Sequence, residues 1–152
     1  MFRLNRLTDY AVVVMSQMSG GASGLRSAQQ IARDTSVPLP TVAKVLNVLT
    51  REGLVDSHRG ASGGYALSRT AEEITVAEII RALEGPIALT ACVDNGGSGC
   101  EVESLCPMRG TWDRVNDVIH RALSQVTLAD LIADQQTRIP AFARDTAAQV
   151  AE

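Results

Sequence analysis

Residues 27–67 read SAQQIARDTSVPLPTVAKVLNVLTREGLVDSHRGASGGYAL, and several local patterns follow one another in that stretch. Ser27 stands three residues before Gln30, the spacing at which a hydroxyl and a side-chain amide satisfy each other's free backbone N–H groups at a helix start. Ala28, Ile31 and Ala32 then fall on one helical face. Ser36-Val37-Pro38-Leu39-Pro40 predicts a turn, because two prolines so close cannot sit inside a helix. Pro40 suits the first turn of a next helix, Thr41 to Glu52. In it Val42, Val45, Leu46 and Leu49 recur at spacings of three, four and seven. Gly53 predicts a left-handed cap. Leu54–Arg59 and Tyr65–Leu67 then read as short strands around a glycine-rich tip, a β-hairpin.

Upstream, Thr8 to Met18 reads as a buried helix with Thr8 or Asp9 as its N-cap. The run Val12-Val13-Val14 favours a strand, but length and the helical spacing of Ala11, Met15 and Met18 decide for a helix. Helix, helix, turn, helix and hairpin is the order of a winged helix-turn-helix. The expected fold class is therefore mainly α with a small β-hairpin wing. The third helix would lie in a DNA major groove, offering Thr41, Lys44, Asn47 and Arg51 to base edges and backbone. The wing would follow the phosphates through His58, Arg59 and Gly60, with the Arg59 guanidinium able to enter a minor groove. The same pattern also fits a helical domain with a solvated polar face and a surface hairpin. Tyr65 reads as a packing residue rather than a base-stacking one.

Downstream, Thr75 to Glu84 predicts a fourth helix stopped by Gly85-Pro86, and residues 87–91 an extended segment. Met108 to Val126 predicts a long amphipathic helix. Its stripe of Trp112, Val115, Ile119, Ala122 and Val126, widened by Val118 and Leu123, suits a helix that crosses its copy in a homodimer. The other reading is that Trp112 and Ile119 cover only their own core. Leu128 to Ile132 reads as one more short helix. The expected organisation is a DNA-binding domain over 1–86, a cysteine loop over 87–107, a dimerisation helix and short terminal helix over 108–134, and a loose tail over 135–152.

The loop is Cys92-Val-Asp-Asn-Gly-Gly-Ser-Gly-Cys100-Glu-Val-Glu-Ser-Leu-Cys106. Three thiols within fifteen residues cannot all pair with one another, and clustering of this kind points to metal or redox chemistry. Glycines let the chain wrap so that the thiols converge on one centre. Thiolates suit iron–sulfur clusters, zinc or copper(I). Seven residues and then five between the cysteines is not the paired CxxC spacing of a structural zinc site, and one coordination place is left for a fourth ligand. On spacing alone an iron–sulfur cluster, zinc and a thiol redox switch stay open.

Bulk properties agree with that outline. The 45% apolar fraction supports a core, which the 3% aromatic content makes aliphatic. Residues 1–69 hold eight Lys/Arg against four Asp/Glu, and residues 70–152 six against thirteen, so +4 and −7 give the net −3. A basic front half on an acidic chain is compatible with one nucleic-acid face. The longest apolar run, Tyr10–Met15, is far short of the roughly 20 residues that span a bilayer, and the start shows no leader pattern. The expectation is a cytoplasmic protein with no membrane or small-molecule partner. Both histidines lie in poor settings for catalysis, and neither a phosphate loop nor a nucleophile elbow is present, so no enzyme is expected.

Taken together, Arg3-Leu4, Thr8-Asp9-Tyr10-Ala11, Gln30-Ile31-Ala32, Val45-Leu46, Glu52-Gly53-Leu54-Val55, Arg59-Gly60, Gly63-Gly64-Tyr65-Ala66-Leu67, the three cysteines, Trp112 and Thr127-Leu128-Ala129-Asp130-Leu131 resemble the IscR/NsrR/RirA family of bacterial regulators. The similarity runs from about Arg3 to Leu131 and is nearest the subgroup controlling SUF iron–sulfur assembly. It implies a homodimer on double-stranded DNA, with an iron–sulfur cluster held by Cys92, Cys100 and Cys106 of each subunit. Three thiolates and an oxygen ligand favour [4Fe–4S] over [2Fe–2S]. The IscR branch completes its site with a histidine three residues past the last cysteine, where this chain has Arg109, which cannot ligate. Asp9 matches the position of an aspartate that NsrR-like members supply from the other subunit. His120, water or a small thiol are the alternatives. A zinc- or thiol-switch repressor of the same fold is the competing function.

Overall fold

Val42, Val45, Leu46 and Leu49 are all fully buried, and the rest of the N-terminal body is arranged around them. The computed structural model describes residues 3–19, 24–90, 93 and 111–138, with only the backbone of 135–138. In chain order the elements are α1 (Arg6–Ser19), α2 (Ala28–Thr35), α3 (Leu39–Arg51), β1 (Val55–His58), β2 (Gly64–Leu67), α4 (Val76–Glu84), α5 (Thr111–Gln125) and α6 (Leu128–Arg138). Helices α1, α2 and α3 pack on one another, and α4 joins them against α1 and α3. Ala11, Val14 and Met15 of α1, Ile31 of α2, and Ile74 and Ile79 around α4 close the core. This is the expected winged helix-turn-helix with a C-terminal helical arm.

Local chemistry explains most element boundaries. Ser27 and Gln30 form the reciprocal capping box that starts α2, with bonds of 3.2 and 2.8 Å. Helix α1 departs from expectation. It begins at Arg6, and the cap is Asn5, whose side-chain oxygen accepts the Thr8 N–H at 2.9 Å. Asn is among the best N-caps, so Thr8 and Asp9 move into the first turn. At the end of α3, Leu54 N–H donates to Leu49 C=O (2.9 Å) and Gly53 N–H to Thr50 C=O (3.2 Å). With Gly53 at φ +75°, these paired bonds form the Schellman stop, which feeds the chain directly into β1. The antiparallel hairpin pairs Val55 with Leu67 and His58 with Gly64.

Two helix starts are stitched together. Thr75 and Thr127 form an isolated antiparallel bridge, with Val76 N–H on Val126 C=O (2.9 Å) and Leu128 N–H on Ile74 C=O (2.8 Å). Each threonine heads its own box, Thr75 with Glu78 and Thr127 with Asp130. Burial pushes the Glu78 carboxyl up, but the Thr75 N–H and hydroxyl and the Arg69 guanidinium outweigh it and hold the pKa below the ordinary value. The Thr127 N–H and hydroxyl lower that of Asp130 in the same way. With this start, α6 continues to Arg138, four residues into the stretch expected as a loose tail from 135. Ala133, Gln135 and Gln136 are good helix formers, a signal weaker than the fading apolar pattern that suggested an end at Ile132.

Candidate DNA-binding face and cysteine-loop stem

On α3, Pro40, Lys44, Asn47 and Arg51 follow one another at i, i+4, i+7 and i+11, opposite the buried stripe, and all four are exposed. Thr41 lies toward the edge of that face and is half-buried, so it belongs to the helix flank more than to its crest. Arg51 shares an exposed ion pair with Glu52 at 3.2 Å, the kind of contact that a phosphate can displace at little cost. Lys44 and Arg59 have no ion-pair partner among the described residues. His58 and Arg59 are exposed at the end of β1, and Gly60 turns the chain at φ +117°. The Gly60 carbonyl accepts the Gly63 N–H at 3.0 Å, closing the tip. A Cβ on Gly63 would collide with the His58 carbonyl. The tip therefore depends on glycine for its shape.

The wing is not a free hairpin. Arg26, between α1 and α2, exchanges both backbone hydrogen bonds with Tyr65 of β2, at 2.9 and 2.8 Å. Nothing in the sequence pattern marks Arg26 for this role, because a one-residue strand has no periodicity to detect.

Cys92, Cys100, Cys106 and Arg109 lie outside the described residues, as do 108–110 at the expected start of the long helix. The stem leading into the cysteines is described. Asn116 of α5, only 9% exposed, donates from Nδ2 to Ile87 C=O (2.8 Å) and accepts the Leu89 N–H on Oδ1 (3.2 Å). One side chain thus satisfies an acceptor and a donor on one edge of the segment that ends three residues before Cys92. The signal was an asparagine at i+4 from Trp112 and i−3 from Ile119, inside the apolar stripe.

That stripe divides in two. Asn116, Ile119 and Leu123 are buried or half-buried on the side facing the body, where α5 packs on α4. Val115 (41% exposed), Val118 (54%) and Ala122, with Val126 (37%) just past the helix end, form a separate apolar face pointing away, while Trp112 (40%) stands exposed near the helix start in line with Ile119 and Leu123. Ile119 therefore belongs mainly to the inner side, and Val118 is the most exposed residue of the outer one.

Asp9 is exposed in the first turn of α1, and its carboxylate has no partner among the described residues. It lies on the wall of a groove of about 1160 Å³ between α1, α4 and α6, floored by Val12, Val13, Ile79, Ile80 and Ile132. Below it the buried Thr8 hydroxyl donates to Glu84 Oε1 at 2.6 Å, which also accepts the Asn5 N–H at 3.0 Å. That tie fixes the start of α1 to the end of α4. His120 is exposed on α5 with its Nδ1 3.4 Å from the Ser124 hydroxyl. Among the described residues no three His, Cys, Asp or Glu side chains come together as a metal site, and no helix is long and apolar enough to cross a membrane.

A capped α2, a three-residue turn, an exposed polar crest on α3 and a wing following it define a winged-helix DNA-binding regulator. The chain belongs to the Rrf2 family of iron-dependent transcriptional regulators, whose model matches residues 4–134. It is 31% identical over 135 residues to the transcriptional regulator IscR of Photorhabdus laumondii, covering 88% of this chain and 81% of that one. It is 30% identical over 139 residues to the regulator NsrR of Oceanobacillus iheyensis, covering 88% and 91%. The structure of CymR, the global cysteine regulator of B. subtilis, superposes with a TM-score of 0.66 at 29% identity, covering 88% of this chain and 98% of that one. The function is transcriptional regulation rather than catalysis.

Proposed function

We propose that the chain is a homodimeric, cluster-sensing regulator of iron–sulfur assembly or iron-homeostasis genes. Cys92, Cys100 and Cys106 hold an iron–sulfur cluster, [4Fe–4S] in preference to [2Fe–2S], with Asp9 of the other subunit as fourth ligand. The donor set fits such a group: three thiolates and one carboxylate suit iron, and the family is described as iron-dependent. Asp9 is free for the role because Asn5 takes the capping duty. When bound, the cluster would supply a crosslink sensitive to iron, oxygen or redox state.

The observation that carries this reading is the Asn116 clip. It fixes the stem of the cysteine loop to α5, the helix that presents the uncovered face of Val115, Val118, Ala122 and Val126. In this reading that face meets its copy, and whatever orders the cysteine loop acts on the helix that sets the separation of the two α3 helices. Those helices must match half-sites about one DNA turn apart. Lys44, Asn47 and Arg51, with Thr41 at the flank, read the major groove, while His58, Arg59 and Gly60 follow the backbone.

Gel-shift titration of anaerobically reconstituted and apo protein, on duplexes selected by the protein from a random pool, tests the whole reading. The expected result is a brown holoprotein whose affinity differs from that of the apoprotein, with Cys→Ala at any of the three positions removing both colour and difference. Asp9→Ala should weaken cluster retention and leave the fold intact. A colourless protein that carries zinc and binds DNA unchanged would sink the cluster and favour the zinc-switch alternative.

A further inference from the structure

We propose that Arg26 is a positioning residue for DNA binding, whose backbone bridge and side-chain ties together lock the wing to the helix-turn-helix. The proposal rests on the reading of Arg59 as a DNA contact. Three elements meet at Arg26. Its backbone pairs with Tyr65 through two bonds of 2.9 and 2.8 Å, adding a one-residue third strand to the free edge of β2. Its Nη2 donates to Asp34 of α2 at 2.9 Å and to Gln17 of α1 at 3.2 Å. The contact with the wing is close enough to exclude a side chain opposite, since a Cβ on Gly64 would lie 2.9 Å from the Arg26 carbonyl oxygen.

A two-stranded hairpin is marginal in water and takes its orientation from what it packs against. One end of this wing is set by the Schellman turn from α3 into β1. The β2 side is held by the packing of Tyr65 and Leu67 on the core and, on its outer edge, by the backbone bridge from Arg26 to Tyr65. Tyr65 stands opposite Ser57, and Gly64 opposite His58, the residue before Arg59. A displacement of Tyr65 is therefore passed along the register to the tip. The Arg26 side chain is three-quarters buried and its Nε is enclosed with no acceptor among the described residues. The Asp34 carboxylate and the Gln17 amide thus hold a guanidinium that has given up much of its water. That arrangement tolerates few alternatives to its present direction.

The test is a double-mutant cycle on DNA affinity between Arg26→Met and Arg59→Ala, with binding to a duplex selected by the wild-type protein from a random pool and measured at several salt concentrations. Methionine keeps the stem and the backbone bridge and removes the ties to Asp34 and Gln17. Each single change is expected to weaken binding about tenfold, and the pair together little more than either alone, as for residues acting through one contact. Both singles should lower the slope of log affinity against log salt by about one phosphate. Asp34→Asn, which removes only the charge, should lie between wild type and Arg26→Met and serves in its place if that variant does not fold. Independent effects, multiplying to about a hundredfold, or an unchanged salt slope in Arg26→Met and Asp34→Asn, would overturn the proposal and leave Arg26 a packing residue. If Arg59→Ala itself changes neither affinity nor slope, the wing is outside the interface, and the underlying reading fails first.

Discussion

Helices α3 and α5 carry the same kind of sequence and meet opposite fates. Both present apolar residues at helical spacing, and both have charged residues on the remaining faces. On α3 the stripe of Val42, Val45, Leu46 and Leu49 is sealed inside one chain. On α5 the apolar surface splits, and the half containing Val115, Val118 and Ala122 is left uncovered. Periodicity reports that a helix has something to bury; it does not report whether the cover comes from the same chain or from another copy. What separates the two is a polar residue. The α3 stripe is unbroken, whereas Asn116 interrupts that of α5 and marks the side that faces its own body.

The contrast can be broken most forcefully at the sealed end. Leu49→Ala should cost about 2–5 kcal/mol of unfolding free energy, because a fully buried leucine leaves a cavity at the centre of the body. Chemical denaturation measures it, and a loss below about 1 kcal/mol would mean the core can close around the gap. Val118→Asp sharpens the other end. A charge on the most exposed residue of the outer face should leave far-UV circular dichroism unchanged and shift the mass in light scattering from dimer to monomer. A dimer that survives the change would place the interface elsewhere. The smallest effect concerns the stitching between the two regions. Glu78 and Asp130 both have lowered pKa values in the fold. Their contribution is present above the ordinary carboxylate range and is lost as pH falls through the folded values. Stability should therefore decline below about pH 4, and Glu78→Gln should flatten part of that decline in melts taken across pH.

The difference between α3 and α5 also explains what could be read in advance. The capping box at Ser27, the stripe of α3 and the cap at Gly53 are local signals, and each is present in the structure, while the double-proline turn is shorter than expected because Leu39 and Pro40 already belong to the first turn of α3. The winged-helix order followed from them without a long-range assumption. Helix α1 starts earlier than Thr8 or Asp9 would place it, because Asn5 just upstream takes the cap and only the register of the helix decides this. Arg26, Asn116 and the Thr8–Glu84 tie join positions separated by 27 to 76 residues or by a single-residue bridge. No spacing rule reaches that far. For the cysteines, type and number pointed to a metal or redox centre, while the choice of iron–sulfur came only from resemblance.

The bridge between Thr75 and Thr127 has a mechanical consequence. Helix α5 is held partway along its length by Asn116 and immediately past its end by that bridge. A rod held at two points along its length does not swing like a free arm. In an assembly built on two such rods, the body turns with the rod, as the jaw of a calliper turns with its handle. A few degrees at the crossing point become ångströms at the jaws. The gain of such a device would be set by the length of α5, and its stiffness by one amide, one pair of threonines and the packing of α5 on α4.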